Sequence, residues 1–150
     1  MTTGATYSFL DVSCSLVGPG IATTLGNEAG SAEEGISIEL QADKNTMTTG
    51  ADGGYMHSLH AANAGTVTVR LLKTSPQNQI LMAAYNAQRI SSSLWGKNVI
   101  TLIQSNADDA IVCTGCAFVR QPNLEYATDG GTNTWTFHSG KITGLLGAYS

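Results

Sequence analysis

Two short stretches of strict alternation constrain this chain most: residues 35–41 read GISIELQ and residues 65–72 read GTVTVRLL. Successive side chains of an extended strand point to opposite sides, so a period of two gives each stretch one apolar and one polar face and argues against a helix. In the first, Ile36, Ile38 and Leu40 share the apolar face, while Ser37, Glu39 and Gln41 share the polar one. In the second, Val67, Val69 and Leu71 alternate with Thr66, Thr68 and Arg70. The polar segment between them, about residues 42–64, has no helical periodicity and is far longer than a hairpin connection of about two to five residues. It is expected to be a long inter-strand loop. Loops of that length are functional or disordered, and Met47, Tyr55, Met56 and Leu59 favour function, because a solvated linker has little use for large apolar groups.

The chain has 150 residues, which predicts a single domain spanning 1–150 with enough length to bury a core. Only 12% of the residues are charged, which is sparse for the surface of a free monomer and points to assembly. The net charge is −4 and the seven Lys and Arg are scattered, so a protein that grips nucleic acid is not expected. MTTGATYSF lacks a basic start followed by an apolar run, and no stretch is long and apolar enough for a membrane span. Three cysteines, Cys14, Cys113 and Cys116, cannot make a complete disulfide framework, which suits synthesis in a reducing cytoplasm.

Further strands are expected at Tyr7 to Val17 and Ile21 to Leu25, followed by an acidic loop, NEAGSAEEG. One helix is expected, with Ser75 as N-cap and Pro76 at the first helical position, its covering stripe made by Ile80, Leu81, Ala84, Tyr85 and Gln88. Strands at Asn98 to Ser105 and Ala110 to Arg120 flank a tight turn at Asn106 to Asp109. A last strand, Asn133 to Ile142, puts Trp135 and Phe137 on one face and Thr134, Thr136 and His138 on the other. The sum is a mainly β protein, an antiparallel β-sandwich or barrel with one packed α-helix.

Chemistry-bearing motifs are weak. His57 and His60 lack further partners at zinc-site spacing. Cys113 and Cys116, three apart in a strand, face opposite sides unless a bulge at Gly115 intervenes, so core packing is the expected role. Gly18-Pro19-Gly20 lacks the Lys-Ser/Thr of a phosphate cradle, the acid pairs Glu33–Glu34 and Asp108–Asp109 lie in turn-like sequence, and no Gly-x-Ser-x-Gly elbow is present. No enzyme activity, cofactor or metal is expected. The residues describe a binding or building protein.

The strings YSFLDV, AEEGISIE, DKNTMTTGADGG, MHSLH, GTVTVRLLKTSP and TWTF, in this order from about Tyr7 to Ala148, resemble the tail tube proteins of contractile-tailed bacteriophages. The resemblance implies hexameric rings stacked into a hollow tube inside a sheath, through which the phage genome passes. It also implies kinship of fold with pyocin and type VI secretion tubes. The implied partners are further copies of the chain, the sheath, baseplate and tail terminator proteins, and the tape measure protein and double-stranded DNA in the lumen without specific binding. The implied place is the virion, after assembly in the bacterial host cytoplasm.

On that reading the lumen-facing candidates are Glu39, Ser37, Gln41, Thr68 and Arg70, with Glu28, Glu33, Glu34, Asp108 and Asp109 as further acids, and an acidic or neutral lumen is expected. The inter-subunit candidates in the long loop are Met47, Asp52, Tyr55, Met56, His57, Leu59 and His60. Gln77, Asn78 and Arg89 are candidates to face the sheath. Two other readings stay open at this point. One is a tube protein of a type VI or pyocin-like particle; the other is a small β-sandwich binding module, which should display an exposed aromatic platform.

Overall fold

The structure, a computed structural model, describes residues 4–8, 11–25 and 31–149, with the side chains of 31–34 left aside. The described residues form ten strands and one helix: β1 (Val12–Gly18), β2 (Ile21–Leu25), β3 (Ser31–Leu40), β4 (Asn45–Thr49), β5 (Tyr55–Leu59), β6 (Gly65–Leu72), α1 (Gln77–Gln88), β7 (Asn98–Gln104), β8 (Asp109–Arg120), β9 (Thr132–Ser139) and β10 (Lys141–Leu145). All pairings are antiparallel. The expected mainly antiparallel β fold with one helix is what the chain adopts.

Eight strands run in the order β2-β1-β7-β8-β9-β6-β3, with β10 on β8. The sheet folds over at β8, whose first half pairs with β7 and β10 and whose second half pairs with β9. Gly115 makes the corner: its φ of 63° is in the left-handed region that favours glycine, and the register against β7 shifts between Asn98↔Cys116 and Ile100↔Cys113. One layer is therefore β2-β1-β7 with the first half of β8 and β10. The other is β3-β6-β9 with the second half of β8.

The second layer shows why the alternation matters. Ile38, Val67, Phe137 and Phe118 lie in register across it and pack inward, as do Ile36, Val69 and Trp135 in the next row. They meet Cys14, Leu16 and Ile100 of the first layer in one core. Helix α1 closes this core with Leu81 and Ala84. At its C-terminal end Gln88 and Asn98, both buried, exchange two amide hydrogen bonds of 2.8 and 2.9 Å, and Gln88 also donates to the Pro19 carbonyl, which satisfies two polar side chains in an apolar setting.

Several expectations change. The first strand begins at Val12 rather than Tyr7, and residues 9 and 10 lie outside the described set. The acidic stretch is partly strand, since β3 begins at Ser31. The final strand divides into β9 and β10 at Gly140, opposite the Gly115 corner, because a strand pair that turns from one layer to the other must bend on both sides. Pro76 is itself the N-cap, and the Ser75 hydroxyl accepts from Gln77 N at 3.3 Å one residue outside. Ile80 is 40% exposed, so it falls off the buried stripe. Leu40 is likewise exposed, at the end of an edge strand.

The cysteine expectation holds as packing, although the bulge turns both Cys113 and Cys116 inward beside Cys14. Burial pushes the Cys14 thiol up to about 12, with Cys113 adding to it, and burial pushes Cys113 up to about 11, with Cys116 adding to it. The thiols are protonated and inert at neutral pH. In the unfolded chain they ionise near pH 9 while the fold still holds their protons, so stability is intact below pH 9 and declines as pH rises toward 11–12. We expect native protein at pH 8 to leave a thiol reagent unreacted and the urea-unfolded chain to react fully. Replacing Cys113 or Cys116 singly by Ala should cost about 1 kcal/mol of packing and leave assembly intact. Stoichiometric zinc lost with either change would overturn that picture.

Candidate functional site: a polar sheet face and a projecting hairpin

The outward face of the second layer is built by the polar halves of the alternating strands. In register across it run Ser37, Thr68, Thr136 and Arg120, then Glu39, Thr66, His138 and Ala117. Arg70 lies opposite Thr134, and its Nη1 donates to Ser37 Oγ at 3.3 Å. The structure thus brings Ser37, Glu39, Thr68 and Arg70 together on one face. Gln41 follows the end of β3, exposed, with its backbone N–H donating to Ala64 O at 3.0 Å.

This face is a hydroxyl-rich surface of both charge signs, with Arg70 and Arg120 against Glu39 among the described side chains, rather than an acidic one. Arg120 was not among the sequence candidates, because a register shift between Phe118 and Arg120 turns it outward and only the paired structure reveals that shift. Of the other acids, Glu28 lies outside the described residues, as do the side chains of Glu33 and Glu34. Asp108 and Asp109 sit away from this face, Asp108 in the turn between β7 and β8 and Asp109 at the start of β8, where it accepts from Gly147 N at 2.8 Å.

The segment expected as a loop is a β-hairpin, β4 paired with β5 from Asn45↔Leu59 to Thr49↔Tyr55. Its turn is set by Asp52, whose Oδ1 accepts from Gly54 N at 3.0 Å, and by Gly53 at φ 89°. The pairing sorts the candidate residues by side. Met47, Tyr55, His57 and Leu59 share one face, with the Tyr55 and His57 rings edge-on at 5.4 Å, whereas Met56 and His60 lie on the other. His57 contacts Asn45 and His60 contacts Thr46. The two imidazoles diverge, and no cluster of three potential metal ligands occurs among the described residues.

Every β4 residue is exposed, and β5 is exposed except for half-buried Ser58. Tyr55 at 71% and Leu59 at 85% mark the hairpin as an apolar surface without cover among the described residues. The helix candidates divide as well. Asn78 accepts from Trp135 Nε1 at 3.0 Å and Gln77 meets the Thr23 hydroxyl, so both are used within the chain, while exposed Arg89 lies over the Tyr85 ring.

The chain is similar in fold to the tube-terminating cap of the anti-feeding prophage, at a TM-score of 0.60 and 10% identity over 97% of this chain and 95% of that one. It is also similar to a chain of the anti-feeding prophage baseplate (0.59, 14%, 97% and 97%) and to one of the sheath-tube complex of an extracellular contractile injection system, PVC (0.56, 10%, 89% and 88%). A comparison with curated protein sequences gives no match. Residues 4–147 match the family described as Bacteriophage PhiTE tail tube protein, and the chain belongs to that family. It is a structural component of a phage tail or contractile injection particle.

Proposed function

We propose that this chain forms hexameric rings that stack into the inner tube of a phage tail, with the outward face of the β3-β6-β9-β8 layer lining the channel that conducts the genome. The carrying observation is that layer itself: four strands, an apolar inner face, a hydroxyl-rich outer face, and β3 as an open edge. Open strand edges invite pairing with another chain, and a closed ring of such layers removes them. Six copies give about 24 strands at ~4.8 Å spacing, a circumference of roughly 115 Å and a diameter of about 37 Å between backbones, which admits a duplex after side chains. Scattered charges of both signs neutralise no run of phosphates, so DNA passes without being held. The hairpin would reach a neighbouring ring and bury Met47, Tyr55 and Leu59 there, with the sheath outside and the tape measure protein and DNA within.

A second reading, a ring that ends the tube, draws support from the fold likeness to the anti-feeding prophage cap and to the PVC sheath/tube terminator. Electron microscopy of the purified protein over a concentration series separates the two. Tubes of growing length support a tube subunit, and single rings that do not grow support a terminator. A chain that stays monomeric at millimolar concentration, even with tail-initiating complexes, would sink both.

A further inference from the structure

The two layers leave a cleft of about 250 Å³ lined by Val12, Ile36, Ile38, Leu102 and Ile111 together with Tyr7 and Tyr149, whose rings meet edge-on at 6.2 Å. Gln104 and Asp109 supply its polar groups. Gln104 is 2% exposed, and its Oε1 accepts from Ala107 N at 2.9 Å, yet its Nε2 has no hydrogen-bond partner among the described residues. A buried amide donor left unmade is costly, so a cleft with apolar walls and one free donor is shaped for an occupant that is apolar along its body and accepts a hydrogen bond at its end. The volume lies below the roughly 300–1,000 Å³ of small-molecule sites. It suits one or two side chains.

The chain carries such a side chain on the element that lacks a partner. Tyr55 closes the hairpin ladder next to the turn, at 71% exposure, and a five-residue strand places it about 17 Å from the hairpin base. A tyrosine joins a large apolar ring to a phenol that usually finds a hydrogen bond when buried. The cleft also borders β3, the edge strand from which the hairpin leads, through Ile36 and Ile38.

We propose that Tyr55 of a second copy of this chain seats in the cleft, its phenol oxygen accepting from Gln104 Nε2, an inference that rests on the reading of the hairpin as the inter-subunit arm. Tyr55 then anchors the arm and Gln104 sets its depth.

The test is a double-mutant cycle on self-association, measured by sedimentation, with monomer melting as control. Tyr55→Phe and Gln104→Met should each weaken association about fivefold, and the double variant should be no weaker than the weaker single, because one hydrogen bond is lost in all three. Tyr55→Phe should leave monomer melting unchanged. Ile38→Phe, which fills the cleft from within its own copy, should abolish association with hairpin and Gln104 intact, and it decides the matter if Gln104→Met unfolds the β7–β8 turn. Independent, multiplying losses in the cycle, or full association of Ile38→Phe, would overturn the seat while leaving the arm in place. Unchanged association after removal of residues 52–60, or a parent chain that does not associate, would remove the arm reading and the seat with it.

Discussion

Deleting Asp52 to His60 and closing the gap with Gly-Ser should yield a chain that melts within a few degrees of the parent and forms no tubes. The deleted residues are exposed apart from half-buried Ser58, so little buried apolar area is lost. Strands β3 and β6 keep their register from Ile36↔Val69 to Leu40↔Gly65 without the hairpin. The base of the hairpin is closed by Lys44, just before β4, whose Nζ donates to Ala62 O and Asn63 Oδ1 in the segment between β5 and β6. Surface changes of this kind shift stability by roughly 0.5 kcal/mol, or about 1–2 °C for a chain of this size. The apolar face of Met47, Tyr55 and Leu59 would be broken up, and with it the contact that joins rings. Calorimetry of the monomer together with tube yield by electron microscopy reads both halves. Normal tubes would take the hairpin out of the assembly mechanism, and a badly destabilised monomer would make it a cover for its own core.

The alternation of GISIELQ and GTVTVRLL was enough to place β3, β6 and their two faces, because a half-buried strand writes its geometry into every second residue. The same rule placed Trp135 and Phe137 inward. It failed at the hairpin, where both faces of NTMTT and YMHSL meet solvent in the single chain and no burial pattern is imposed. Pairing there comes from the Asp52-Gly53-Gly54 turn, and ADGG between two Thr- and Tyr-containing stretches was the available signal. The Gly115 corner was visible only as a condition on the cysteines. Arg120 and the cleft around Gln104 were not legible at all, since a register shift and a cavity between layers belong to the paired sheets and to no local segment.

Trp135→Ala should cost about 3–5 kcal/mol, lowering the melting temperature by roughly 10–15 °C and leaving no tubes at physiological temperature. Trp135 is 1% exposed and stands opposite Val69 in the β6–β9 ladder, with its ring edge-on to Phe118 at 5.8 Å. Its Nε1 donates to Asn78 Oδ1, and the Asn78 amide donates in turn to the Leu72 and Lys73 carbonyls, so one side chain ties β9 to the start of α1 and the end of β6. Removing the indole opens a cavity beneath the polar face and frees that tie together. Trp135→Phe separates the two effects. It keeps most of the ring and loses the hydrogen bond, for an expected cost of about 1–2 kcal/mol and tubes that still form. A Trp135→Ala chain within 1 kcal/mol of the parent in urea unfolding would mean that the layer behind the channel face is not held by this packing. Equal losses for Ala and Phe would assign the stability to the Asn78 bond, because the two variants differ only in the ring that fills the space against Val69 and Phe118.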